Sequence, residues 1–249
     1  MSDRITTSGP ISQQELALYG PLAVKQGYLV LEGAQFCSAG DIADLKALQE
    51  SCFRLPSDTN GGQRFRAYRS FTLTGAGLKE SETQGYQQSK QYNYTEGGKL
   101  RTFQPIEPGV RALPLLRKVI AIDAAIVKAT GIVSFDAGVK VGVHQVRYQP
   151  ENGVPSYSSP PWLHKDDEPA VFVHLLNLSA NSTGGDSVLA GGNRDFHRVL
   201  KLVNPFDTLF LTQNLFHAVT PVGIEEGTVG FRDILIVTFE PVVEEKLAA

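Results

Sequence analysis

The chain has 249 residues, 42% hydrophobic and 20% charged, with 23 Lys and Arg against 26 Asp and Glu for a net charge of −3. That balance fits a globular protein and lacks the basic excess with which proteins track a phosphate backbone, which excludes a generic nucleic-acid binder. Two cysteines, Cys37 and Cys52, are too few for a disulfide scaffold and have no CxxC spacing, and no run of apolar residues is long enough for a transmembrane helix. Residues 1–10 are polar without a basic segment leading into an apolar run, so a cytoplasmic protein is expected.

Ser12-Gln13-Gln14-Glu15 has the form of a capping box and opens a first helix carrying Leu16, Leu18 and Leu22. Pro21 lacks an amide hydrogen and is expected to end that helix near Gly20. A strand is predicted over 27–31. Ser38-Ala39-Gly40-Asp41 then caps a second helix whose Ile42, Leu45, Leu48 and Phe53 recur at helical spacing. Both cysteines read as small buried hydrophobes. Residues 56–63 are dense in turn formers, and the following run sets Arg64, Arg66 and Arg69 among Phe65, Ala67 and Tyr68, the pattern of a strand with a charged face. Residues 81–99 are polar and rich in Tyr and Gln without a period, which suggests an ordered loop or lid.

The third helix has the clearest signature, with Pro114 at its start, Leu115, Leu116, Val119, Ile120, Ile126 and Val127 in helical period, and Gly131 at its end. Beyond it the pattern changes to short β-like runs at 139–148, 161–165, 170–178, 207–213, 216–221 and 229–239. Helices gathered before such a run predict an α+β fold, here a sandwich or barrel buttressed by amino-terminal helices. With no repeat and no linker, the chain reads as one domain, 1–249, helix-rich over 1–131 and with its β core over 132–241.

His164 and Asp166, in Trp162-Leu163-His164-Lys165-Asp166, are two residues apart, so on a strand both project from one face. A distant His217, in Phe216-His217-Ala218-Val219-Thr220, would complete two imidazoles and one carboxylate on one face of an octahedron, the ligand set of non-haem Fe(II) oxygenases. Neutral imidazoles and one carboxylate leave ferrous iron a net positive charge and three open positions, enough for a bidentate co-substrate and dioxygen. Arg232 lies in the otherwise apolar strand Phe231-Arg232-Asp233-Ile234-Leu235. A buried arginine needs an anion, and two are open to it: the distal carboxylate of a dicarboxylic co-substrate, or a nearby Asp.

These blocks resemble the Fe(II)/2-oxoglutarate dioxygenases that hydroxylate free L-amino acids and, among them, the L-isoleucine 4-hydroxylase group. The likeness runs through QSKQYNYTEGGKLRTF, VGVHQVRY, SYSSPPWLHKDDEPAVFVHLLNLS, GGD, FHAVTPVG and FRDILIVTF, most of residues 84–240. It implies a double-stranded β-helix, a cupin-like jelly roll, with His164, Asp166 and His217 as iron ligands and Arg232 as the 2-oxoglutarate anchor. It further implies Fe(II) as cofactor, 2-oxoglutarate and dioxygen as co-substrates, and a small amino acid, isoleucine- or leucine-like, as substrate. A cyclic amino acid such as pipecolate or proline, or methionine oxidised at sulfur, is the alternative substrate. A non-enzymatic cupin-like binding protein, its histidines holding zinc or nothing, is the alternative class.

Other residues have two readings each. Alternation along 139–148 puts His144, Val146 and Tyr148 on one face and Gln145 with Arg147 on the other, and one of these sets faces the iron. Tyr148 is thus a candidate for co-substrate contact, and Gln145 and Arg147 for substrate contact. Arg101 either receives a substrate carboxylate or is solvated. His174 reads as a core histidine, His197 as exposed, Asp167 as structural, and Glu168-Pro169 as the start of a turn. Glu225-Glu226 and the tail Glu244-Glu245-Lys246 read as solvated surface.

Overall fold

The computed structural model describes residues 11–58, 63–81, 85–94 and 97–242; the stretch 1–10 and the tail 244–246 lie outside them. In chain order the elements are α1 (Gln13–Gln26), β1 (Tyr28–Leu31), α2 (Ile42–Ser51), β2 (Arg64–Thr74), β3 (Gly77–Glu80), β4 (Gly85–Tyr86), β5 (Arg101–Thr102), the single turn α3 (Pro108–Arg111) and α4 (Pro114–Thr130). Strands follow: β6 (Val139–Tyr148), β7 (Ala170–Leu178), β8 (Ser182–Gly184), β9 (Ser187–Ala190), β10 (Phe196–Leu200), β11 (Thr208–Thr212), β12 (Phe216–Val219), β13 (Val222–Ile224) and β14 (Arg232–Pro241).

The capping box at Ser12 and Glu15 forms, but α1 does not stop at Pro21; it continues to Gln26 and ends on Gly27 at φ 85°. Pro21 forfeits one backbone hydrogen bond, and tertiary packing offsets the loss. Tyr19 and Ala23 are fully buried, and the Gly20 backbone lies so close to the end of α4 that an added Cβ would sit 2.1 Å from the Ala129 carbonyl oxygen. The α4 boundaries match the sequence signals, with Pro114 in the first turn and Gly131 left-handed at φ 67°.

Seven strands form one antiparallel sheet in the order β1-β11-β7-β14-β6-β2-β3. Its two faces follow from strand alternation. Val141, Val143, Leu235, Val237 and Phe239 point to one face and join Leu116, Val119, Ile120 and Val127 of α4 in the larger core. Val146, Tyr148, Val171, Leu209 and Ile234 point to the other face and join Leu189 and Val222 of the smaller strands in a second core. Those smaller strands form two ladders, β10-β9-β12 and β13-β8, extended by the bridges His164 to His217 and Ser156 to Val222. This is the jelly-roll arrangement of two sheets with the working space between them, and the helices cover only the outer face of the larger sheet.

The charged face predicted for β2 is not solvated. Arg64 and Arg66 are buried, in register with Tyr148 and Val146 of β6, and point to the inner face. One-strand alternation separates the two faces of a strand without saying which of them a second sheet will cover.

Candidate metal centre

The β12 strand carries His217, and the segment before β7 carries His164 and Asp166. The strand expected over 161–165 is reduced to a single bridge, because Pro160, Pro161 and Pro169 remove ladder donors on either side. That bridge is reciprocal: the His164 amide donates to the His217 carbonyl and the His217 amide to the His164 carbonyl, each at 2.9 Å. Directly paired residues share a face, so the imidazoles stand side by side, their centroids 4.4 Å apart. Asp166 reaches back to them, with Oδ1 3.7 Å from His164 Nε2 and Oδ2 3.3 Å from His217 Nε2. One potential ligand atom from each of the three residues lies within 4.8 Å of the others.

The surroundings prepare these atoms for a cation. His164 Nδ1 lies 2.8 Å from the Trp162 carbonyl oxygen, so Nδ1 carries the hydrogen and Nε2 presents its lone pair to the centre. Burial lowers the pKa of His164 to about 4, with the nearby His217 adding to the shift. Burial pushes Asp166 upward, but the charge and hydrogen bond of His217 and the charge of His164 outweigh it and hold the carboxyl at about 2. Burial also opposes a charge on His217, yet the attraction of Asp166 prevails and raises it. An anionic carboxylate between two imidazoles that face one point fits Fe(II), whose preferred neutral-nitrogen and oxygen donors these are.

The cavity containing this centre has the inner rows of the larger sheet as its floor. In one row Arg64, Tyr148 and Arg232 lie side by side across β2, β6 and β14. Arg232 is 2% exposed, and among the described residues neither Nη1 nor Nη2 has a hydrogen-bond partner. Its sequence neighbour Asp233 points to the opposite face, where both carboxylate oxygens accept from Arg147 at 2.7 Å. Gly185, in the GGD motif, leaves the space that Arg232 needs, since an added Cβ would lie 2.8 Å from Arg232 Cδ. A buried guanidinium with both terminal nitrogens free fits a carboxylate of 2-oxoglutarate.

Two rows farther along the floor are Tyr68, His144 and Ile236. Burial first, then the Arg66 and Arg101 charges, keep the His144 pKa far below its usual value. The ring is therefore neutral, and its Nδ1 accepts from Arg66 Nε and Nη2 at 3.3 and 2.8 Å. The guanidinium of Arg66 lies 4.4 Å from the Phe103 ring centroid, and that of Arg101 lies 4.7 Å from the Tyr86 centroid. Glu168 also lines this end, its pKa raised to about 7 by burial and then by the charges of Asp166 and Glu240.

His164, Asp166, His217, Tyr148, Arg101 and Arg232 therefore line one cavity. Gln145 and Arg147 do not, which corrects their reading as substrate contacts. Alternation turns both toward the helices, where Gln145 Nε2 donates to Ser51 Oγ at 2.8 Å and Arg147 pairs with Asp233, its guanidinium 3.6 Å from the Phe53 centroid. Arg147→Ala would strand the Asp233 carboxylate, so it is expected to destabilise the fold by about 3 to 5 kcal/mol. Urea titration measures that loss, and the folded fraction should keep its dependence on 2-oxoglutarate.

The remaining readings sort by burial. His174 is a core residue, its Nδ1 2.7 Å from Thr208 Oγ1 and its Nε2 3.0 Å from Asp123 Oδ2. His197 is exposed. Asp167 is structural: its Oδ2 accepts from the Ser89 amide at 2.7 Å and pins the 85–94 segment beside the site. Arg64, Arg66, Gln88 and Glu168 were not singled out from sequence. For Glu168 a signal existed, since it continues the two-residue spacing of His164 and Asp166.

The family model for 2OG-Fe dioxygenases matches residues 49–238. The L-isoleucine-4-hydroxylase of Bacillus thuringiensis is 40% identical over 197 residues, 78% of this chain and 82% of that protein. The 3(1)-hydroxy-L-isoleucine 4-dioxygenase of Pantoea ananatis (strain AJ13355) is 36% identical over 225 residues, 89% of this chain and 91% of that protein. The crystal structure of IDO from Bacillus thuringiensis superposes with a TM-score of 0.82 at 34% identity, covering 90% of this chain and 98% of that one.

Proposed function

Because the chain belongs to the 2OG-Fe dioxygenase family, we propose that it hydroxylates an unactivated carbon of a free aliphatic L-amino acid, isoleucine or leucine or a near relative. The single observation that carries the reaction class is the convergence of His164, Asp166 and His217 on one point, in the same cavity as a buried arginine whose terminal nitrogens have no hydrogen-bond partner among the described residues. The substrate class is supported by the two relatives, whose names place their reactions at position 4 of an isoleucine skeleton. Bound Fe(II), with 2-oxoglutarate and dioxygen, supplies the oxidant, and the co-substrate leaves as succinate and carbon dioxide.

Each protein group has a separate task in this reading. His164 Nε2, Asp166 and His217 Nε2 would hold the metal. Arg232 takes the distal carboxylate of 2-oxoglutarate, and Tyr148, beside it in the same row, contacts that co-substrate. Arg101 receives the amino acid carboxylate. The apolar side chains Val171, Val173, Val219 and Ile236 exclude water and accept an aliphatic side chain.

The test is to incubate the purified protein with Fe(II), ascorbate, 2-oxoglutarate and a panel of standard amino acids plus pipecolate. The expected result is a mass gain of one oxygen on isoleucine or leucine, with consumption of 2-oxoglutarate. A peptide or nucleic acid hydroxylated in preference to every free amino acid would overturn the reading.

A further inference from the structure

The end of the cavity near His144 holds the carboxyl group of Glu168 and the guanidinium groups of Arg66 and Arg101, all buried and with no ion pair among them. Glu168 is 4% exposed, and among the described residues no basic side chain lies within salt-bridge distance of it. Among the described residues Arg66 donates only to a neutral imidazole. Arg101 donates from Nη2 to Gln88 Oε1 at 2.9 Å, while its buried Nε has no hydrogen-bond partner among the described residues. Charges removed from water without a counter-charge are costly, so this arrangement favours a ligand that brings both signs.

The spacing of the charges also matters. The Gln88 amide, whose Oε1 is fixed by Asn93 Nδ2 at 2.9 Å, touches Arg101 through that oxygen and Glu168 Oε2 through Nε2 at 3.5 Å. One planar amide thus separates an anion from a cation. The two charged groups of an α-amino acid are separated by a single carbon, a comparable span. With Asp166 turned toward the two histidines, Glu168 is the carboxylate in this cavity that remains for an ammonium group.

We propose that Glu168 holds the α-ammonium group of the substrate while Arg66 and Arg101 take its α-carboxylate, so that the site selects amino acids with both ends free. This rests on the free amino acid reading above and assigns it a recognition device. A peptide-bonded residue, which lacks an α-ammonium, would leave Glu168 buried without its partner, and an N-blocked amino acid would do the same.

Binding is measured by calorimetry on the full chain loaded with Fe(II) and 2-oxoglutarate without oxygen, so the readout does not depend on turnover. The ligands are L-isoleucine and 3-methylpentanoate, which keeps the carboxylate and side chain and lacks the ammonium. Wild-type protein is expected to bind 3-methylpentanoate about ten- to a hundred-fold more weakly than isoleucine. Glu168→Gln, which keeps the shape and loses the charge, should weaken isoleucine by a similar factor and leave 3-methylpentanoate, Fe(II) and 2-oxoglutarate affinities unchanged.

A merely structural role would weaken both ligands alike, and that outcome overturns the proposal. So does isoleucine binding unaltered by Glu168→Gln, which would leave the amino acid reading itself intact. Wild-type protein that binds no free amino acid overturns both. The comparison of the two ligands on unaltered protein stands even if the variant does not fold, and equal affinities there would end the proposal.

Discussion

Asp166→Ala is expected to lose tight Fe(II) binding, and hydroxylation with it. Altering a residue that only orients a metal ligand typically costs ten- to a hundred-fold in affinity, so removing one of three ligands should exceed about a hundred-fold. Charge acts in the same direction. Asp166 is the anionic member of the set, its carboxyl held below the usual range chiefly by His217, and without it two neutral imidazoles would have to hold a dication alone. Calorimetric titration with Fe(II) measures the loss directly. The fold should persist, because Asp166 lies outside the regular strands and the His164 to His217 bridge is made by backbone groups. Fe(II) bound by Asp166→Ala as tightly as by the unaltered protein would remove Asp166 from the ligand set.

The parts of the fold that were legible in the sequence are those where local chemistry and tertiary packing agree. Pro114 and Gly131 bound α4 in the structure as they do in the sequence, because a proline in the first turn and a left-handed glycine beyond the last need nothing from the rest of the chain. Pro21 misled for the converse reason. Its local cost is real, but the close approach of Gly20 to Ala129 is a long-range contact with no sequence pattern. The short strands β8, β9, β10 and β13 escaped for a related reason: their pairing, β10 and β12 on β9 and β13 on β8, is a tertiary contact that no local period announces.

The site shows the same division. The convergence of His164, Asp166 and His217 was legible because the chemistry restricts residue type and spacing together. Arginine roles were not, because an arginine in a strand reveals its need for an anion but not which anion it meets. Both fates foreseen for Arg232 occur in this fold on opposite faces of one sheet. Arg147 has the aspartate, and Arg232 faces the cavity with its terminal nitrogens free. Alternation along β6 and β14 separates them, and only the second sheet determines which face encloses the cavity.

That separation makes Arg232→Ala a sharp test of co-substrate binding. Charge-assisted hydrogen bonds contribute about 1.5 to 3 kcal/mol, and more when a buried partner is stranded, so the variant should weaken its use of 2-oxoglutarate by about ten- to a few-hundred-fold. The loss should show as a raised half-saturating concentration of 2-oxoglutarate, with Fe(II) affinity retained, since Arg232 is not among the three residues that converge on the metal point. Arg232→Lys keeps the charge but loses the planar fork, so it should fall between the two. Fold stability should not suffer as it would at Arg147: among the described residues Arg232 leaves no carboxylate unpaired when it is removed, and burial already opposes its charge. If Arg232→Ala turned over with an unchanged dependence on 2-oxoglutarate, the anchor would have to be sought elsewhere. Arg147 is committed to Asp233 on the opposite face, which leaves Arg64, in the same row beyond Tyr148, as the next guanidinium to remove: its Nε is held by Asp58 at 2.7 Å, but its Nη2 is buried and has no hydrogen-bond partner among the described residues.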